Sequence, residues 1–74
     1  MTTRCPNMMV AEHVSRKFVL LEMEAGWWTQ TVSAESKEEM DLKLAVRGLK
    51  TDWEGYDWND LGWSECQHRV WRTQ

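Results

Sequence analysis

The side chains in this 74-residue chain best suited to bond-making chemistry are two cysteines and two histidines, Cys5, His13, Cys66 and His68. Cys66 and His68 stand two apart, so on a strand both would point to the same face. A cysteine beside an imidazole can form a nucleophile and base, provided the pair is held in hydrogen-bonding reach. Cys66 with either His13 or His68 would need long-range positioning that spacing does not supply. Four such ligands would also suit zinc, yet their spacing follows no finger or ribbon pattern. A Cys-x-His pair on a strand equally serves as plain packing. No phosphate-binding loop, dinucleotide fingerprint or H-E-x-x-H helix occurs. Residues 57–62 depart from a calcium loop, because Leu61 stands where an oxygen ligand is required. The expectation is a chain that is not an enzyme and carries no metal or cofactor.

A second constellation is larger. Residues 51–65 hold Asp52, Glu54, Asp57, Asp60 and Glu65 with no basic residue among them. Trp53, Tyr56, Trp58 and Trp63 are interleaved with those acids. Concentrated acid can imitate the phosphates of a nucleic acid and fill a protein's basic groove, gaining steering as well as competition. Aromatic rings beside carboxylates can also clasp a cation. The plainer readings are a solvated acidic loop and rings that wrap onto the core, which suits Trp53 and Trp63. Tyr56 and Trp58 are the better candidates for exposed anchors. The net charge of −3 argues against direct nucleic-acid binding, where a basic face is expected.

The elements that must position these residues read as follows. Lys17 to Glu24 is rich in β-formers, Ala25-Gly26 offers a two-residue turn, and Trp27 to Ser33 returns as a second strand. That turn pairs Met23 with Trp28, Leu21 with Gln30 and Val19 with Val32. Val19, Leu21, Met23, Trp28 and Val32 then form the core face. Ser36-Lys37-Glu38-Glu39 fits a capping box, and Glu39 and Lys43 an i,i+4 ion pair. The helix is expected to run on past Gly48 to about Thr51, with Leu42, Ala45, Val46, Leu49 and Trp53 as its buried stripe. Met40, Leu44 and Gly48 would lie opposite, either as a second interface, a homodimer included, or packed beneath Met8, Met9 and Val10. A short helix is expected over residues 7–14, a turn-rich segment over 51–63, and a third strand over 64–72.

The length allows one domain, residues 1–74. Its expected class is α+β, in the order (α)ββαβ, with a small antiparallel sheet of about three strands and one main helix across it. Six tryptophans are more than so small a core hides easily, which points to a binding surface. No apolar run approaches a membrane span, and no apolar h-region follows Met1. The expected compartment is therefore the cytoplasm, where Cys5 and Cys66 would be free thiols.

In size, acidity and element order, including the Ser33-Ala34-Glu35-Ser36-Lys37-Glu38-Glu39 strand-to-helix junction, the chain resembles the small phage-encoded inhibitors of the anti-CRISPR type. That group has no shared motif, so no residue role carries over from it. The resemblance implies a partner, a bacterial nucleic-acid-handling effector complex, whose basic surface this protein would occupy. Asp52, Glu54, Asp57 and Asp60 would meet its Lys and Arg, with Tyr56 and Trp58 as anchors. Two other classes remain open: an aromatic-cage module for a cationic ligand, and a small homo-oligomeric structural protein.

Overall fold

A computed structural model describes residues 3–13, 15–57 and 66–73; for Tyr56, Asp57 and Cys66 the description is of the backbone. Five strands and one helix follow in the order β1 (Thr3–Glu12), β2 (Phe18–Glu24), β3 (Trp27–Ala34), α1 (Lys37–Ala45), β4 (Leu49–Asp57) and β5 (Cys66–Arg72). The strands form one sheet in the order β3-β2-β1-β5-β4, with every neighbouring pair antiparallel. The two edge strands, β3 and β4, thus run the same way, and α1 carries the chain from one edge to the other while packing on both. This corrects the expected three-stranded α+β sheet with a main helix: the described residues form mostly a five-stranded antiparallel sheet with a single short helix.

Two misread segments account for the difference. Residues 7–14 hold Met8, Met9 and Val10 side by side, which suggested one face of a helix. They belong instead to β1, the middle strand. A strand in that position meets side chains on both faces, so it needs a continuous apolar run rather than alternation. Val10 turns to one core cluster and Met9 and Ala11 to the other. Pro6 falls where the β1–β5 register shifts, between Arg4 and Met9, a place where a missing N–H is tolerated.

The second misread segment follows the helix. Gly48 has φ of +71°, the left-handed conformation that ends helices, and Leu49 begins a strand. The expected stripe fails with the expected length. Met40 and Leu44 are wholly buried, while Leu42 is 72% and Val46 89% exposed. Of the two readings of the Met40–Leu44 face, the structure gives the packed one rather than a second interface, with both side chains in the same cluster as Val10 and Met8.

The hairpin follows its sequence more closely. Ala25 and Gly26 both have positive φ, as a tight type I′ turn requires, and the pairs Met23–Trp28 and Leu21–Gln30 form. Beyond them Thr31 is inserted as a bulge, so Leu20 rather than Val19 faces Val32. The slip puts Val32 on the same side as Phe18, Leu20 and Ala34, in the main core beneath α1. Val19, Leu21 and Trp28 join Met9 and Ala11 in a smaller cluster.

At the start of α1 the Ser36 hydroxyl accepts from the Glu39 amide at 3.1 Å, and a Glu39 carboxylate oxygen accepts from the Glu35 amide at 3.1 Å. Lys43 lies 2.9 Å from Glu39 and also donates to the Ser33 carbonyl at 2.8 Å. The Lys43 hydrogen bond, then the Glu35 amide, hold the Glu39 carboxyl below its ordinary value. A carboxyl lowered in the folded state adds stability above its unfolded value and loses it as pH falls through the folded one. Glu39→Gln should therefore lower the melting temperature at neutral pH, with the gap to wild type closing in acid. A gap of the same size at both ends would show that charge is not what the side chain contributes. Packing gives a second expectation: Leu44→Ala should cost roughly 2–5 kcal/mol in urea unfolding, and Leu42→Ala less than about 0.5 kcal/mol. Equal losses would mean that the helix is turned differently.

Candidate functional site

The acidic stretch begins on β4, an edge strand with β5 as its one neighbour in the sheet. Pairing is regular from Leu49–Arg72 to Asp52–Arg69, and the next pair is Tyr56–His68. Trp53, Glu54 and Gly55 are thus looped out of the ladder. Asp52 holds the loop: its Oδ1 accepts from the amides of Glu54 at 3.3 Å and Gly55 at 3.0 Å. A Cβ at position 55 would run into the Asp52 carboxylate, so a larger residue there has to displace the side chain that holds the loop.

The bulge aims Trp53 at the core. Its ring meets Phe18 edge-on at 5.3 Å and His68 at 5.1 Å. Its Nε1 donates to the Asp41 carboxylate at 2.9 Å, and the Lys37 ammonium lies 5.5 Å from the ring centroid. One side chain so links β2, β5 and α1 to the edge strand. His68 is buried, and its Nε2 lies 3.4 Å from the half-exposed Glu12 carboxylate. Nothing in the spacing reveals the Glu12–His68 or Asp41–Trp53 contacts, because their partners are 56 and 12 residues apart.

The other expected site residues are placed unevenly. Glu54 is exposed on the bulge. The Tyr56 and Asp57 backbones pair with His68 and Gln67. Trp58, Asp60, Trp63 and Glu65 lie outside the described residues, so the site is located only at its β4 end. Met40 and Leu44 are in the core and Gly48 closes the helix. Cys5 is a buried free thiol, whereas Cys66 is fixed by its backbone, opposite Glu12. His13 Nδ1 is 2.8 Å from the Ser15 hydroxyl in the turn after β1. Among the described residues no three His, Cys, Asp or Glu side chains are grouped to hold a metal, and no helix is long and apolar enough to cross a membrane.

Trp53 and Trp71, with Lys50, Asp52 and Glu54, border an open cleft of about 500 Å³ around the edge of β4. It is broad rather than enclosing, and the Trp53 ring is already in contact with Phe18, His68 and Lys37.

Compared with known proteins, the chain matches no family, no characterised protein and no solved structure. Its function has to be argued from the chemistry of the site alone.

Asp52, expected to reach a partner, spends one oxygen on the chain's own backbone. Asp52→Ala should lower the unfolding free energy by about 1 kcal/mol, because two amides lose their acceptor. Asp52→Asn keeps a carbonyl oxygen there and should stay close to wild type. Equal, negligible effects would show that the carboxylate does not shape the bulge.

Proposed function

We propose that this protein is a non-catalytic binding protein whose contact surface is the acidic and aromatic stretch that starts on β4. One observation carries the reading: residues 51–65 concentrate five acids and four large aromatic residues without a single base. An exposed sheet edge is where that stretch begins. Such a surface suits a partner rich in Lys and Arg, above all a groove built for nucleic-acid phosphates. The biological reading is an inhibitor of the anti-CRISPR kind, acting in the cytoplasm and occupying the basic surface of a bacterial effector complex.

The division of labour differs from one in which every acid points outward. Asp52 and Trp53 build the bulge, and Glu54, Asp57 and Asp60 supply charge to the partner. Tyr56 and Trp58 supply apolar contact, since aromatic anchors carry much of the energy of protein interfaces. The aromatic-cage alternative loses ground because Trp53, the first ring available to it, is already in contact with Phe18, Lys37, Asp41 and His68.

The test is a tagged pull-down from bacterial lysate containing nucleic-acid effector complexes, at low and high salt, read by mass spectrometry. The reading expects such a complex to be captured at low salt and depleted at high salt. Changing Glu54, Asp57 and Asp60 together to Lys should weaken capture by about 100-fold or more, with the circular dichroism spectrum unchanged. Capture that survives the triple reversal in a folded protein would overturn the assignment of the surface.

A further inference from the structure

The ladder between β1 and β5 has a gap. Arg4 pairs with Trp71 and Met9 with Arg69, so Cys5, Pro6, Asn7 and Met8 stand against Val70 alone. An insertion of that kind bends a strand and re-aims the side chains beside it. Here a cavity of about 200 Å³ lies at the gap. Cross-strand partners share a sheet face. Arg4, Met9, Gln67 and Arg69 therefore lie on the face away from α1, together with Trp28. All five line the cavity, and the His68 ring borders it as well.

The lining of this cavity is chemically one-sided. Among the described residues its charged side chains are Arg4 and Arg69, both cations, in a chain whose net charge is −3. Gln67 and His68 bring polar groups to the wall, and they are only 3% and 4% exposed. Trp28, Met8 and Met9 supply an apolar side. Asp52 stands opposite Arg69 on the β4 side of β5, where its Oδ1 accepts from the amides of Glu54 and Gly55. A second hollow with two arginines, bordered by Arg47 and Arg72 at the end of α1, fits an anion less well. Its side chains are exposed, and Arg47 already lies 3.8 Å from the Glu22 carboxylate.

We propose that the β1–β5 cavity binds a small organic oxyanion, a carboxylate or a phosphate ester carried on one flat ring. Arg4 and Arg69 hold the oxyanion, whose shape matches the planar fork of guanidinium donors. Both arginines also make contacts within the chain. With five N–H donors each, they can serve both duties at once. The ring lies against Trp28 and the two methionines, since aromatic and thioether groups favour such contact. Size sets the class of ligand. A cavity of about 150 Å³ accommodates benzene, so this one admits a single ring with its charged group and no more. The site is separate from the acidic stretch of β4 and does not depend on the partner proposed for it.

The experiment is a titration of the full chain with benzoate and with phenyl phosphate, followed by amide chemical shifts, with benzyl alcohol as the neutral control. At least one of the two anions should saturate and bind about tenfold or more tighter than benzyl alcohol. Whichever anion binds tighter tells carboxylate from phosphate ester. The shifts on wild type should centre on Cys5 to Met9 and Gln67 to Arg69. Arg4→Met and Arg69→Met keep an unbranched stem without its charge, so each should weaken binding about tenfold or more while the dichroism spectrum stays native. Arg72→Met, at the other hollow, should leave binding unchanged. Failure of both anions to saturate at about 10 mM, or benzyl alcohol binding as tightly as they do, would overturn the proposal. So would shifts centred on Arg47 and Arg72, or equal weakening by Arg72→Met, which would reduce the effect to general attraction by basic groups.

Discussion

The packing of Met40 and Leu44 against the sheet is the contact on which the other features rest. Both side chains are wholly buried in the cluster that holds Val10, Leu20, Leu49 and Val70. A nine-residue helix has little stability in water by itself, so α1 exists because this face is covered. In turn α1 is the connection between two edges separated by three inner strands. If the helix were not seated, nothing would fix where β4 begins, and the β4–β5 hairpin could not bring β5 beside β1. The capping box, the Glu39–Lys43 pair and Gly48 trim the ends of α1 but do not supply the driving force.

Among the described residues a single helix, α1, shields one sheet face, and the side chains divide accordingly. The larger cluster lies beneath α1, and the smaller one, with Ala11, Val19 and Leu21, lies on the other side. Trp53 closes the first cluster at the edge strand. It reaches there because Asp52 and Gly55 shape the bulge, so an acid and a ring from the acidic, aromatic stretch are used to build the fold. A surface charge run and a structural corner therefore share the same few residues. Under the proposed binding role, stability at this corner and affinity for a partner are linked through Asp52, the acid whose carboxylate holds the bulge.

The sequence makes some of this plain and hides the rest for physical reasons. Local hydrogen-bond chemistry is readable: Ser36 and Glu39 announce the helix start, and Ala25-Gly26 announces the hairpin. Both depend on residues within four positions of each other. The hairpin register is readable as far as Gln30 and then fails, because the Thr31 bulge leaves no compositional mark. β1 is opaque since the continuous run Met8 to Ala11 fits a short helix or a central strand, and only its neighbours decide. The helix length is misjudged because Leu49 and Trp53 fall at helical spacing from Leu42, although they are strand residues after a left-handed glycine. Of the candidate site, the concentration of acid and aromatic residues is visible in the chain, and the structural duty of Asp52 and Trp53 is not. The contacts that reveal that duty join residues far apart in sequence.

Amide hydrogen exchange of the intact chain, resolved by residue, tests the central claim that a helix-seated sheet with β1 in its middle forms one cooperative core. Amides in the inner strands β1, β2 and β5 should be the slowest and should share one opening free energy with the helix amides around Leu44, while those of Glu54 and Gly55 on the bulge exchange quickly. Fast exchange throughout β1, with protection confined to the β2–β3 hairpin and α1, would contradict the account, because the middle strand would then not be part of the core.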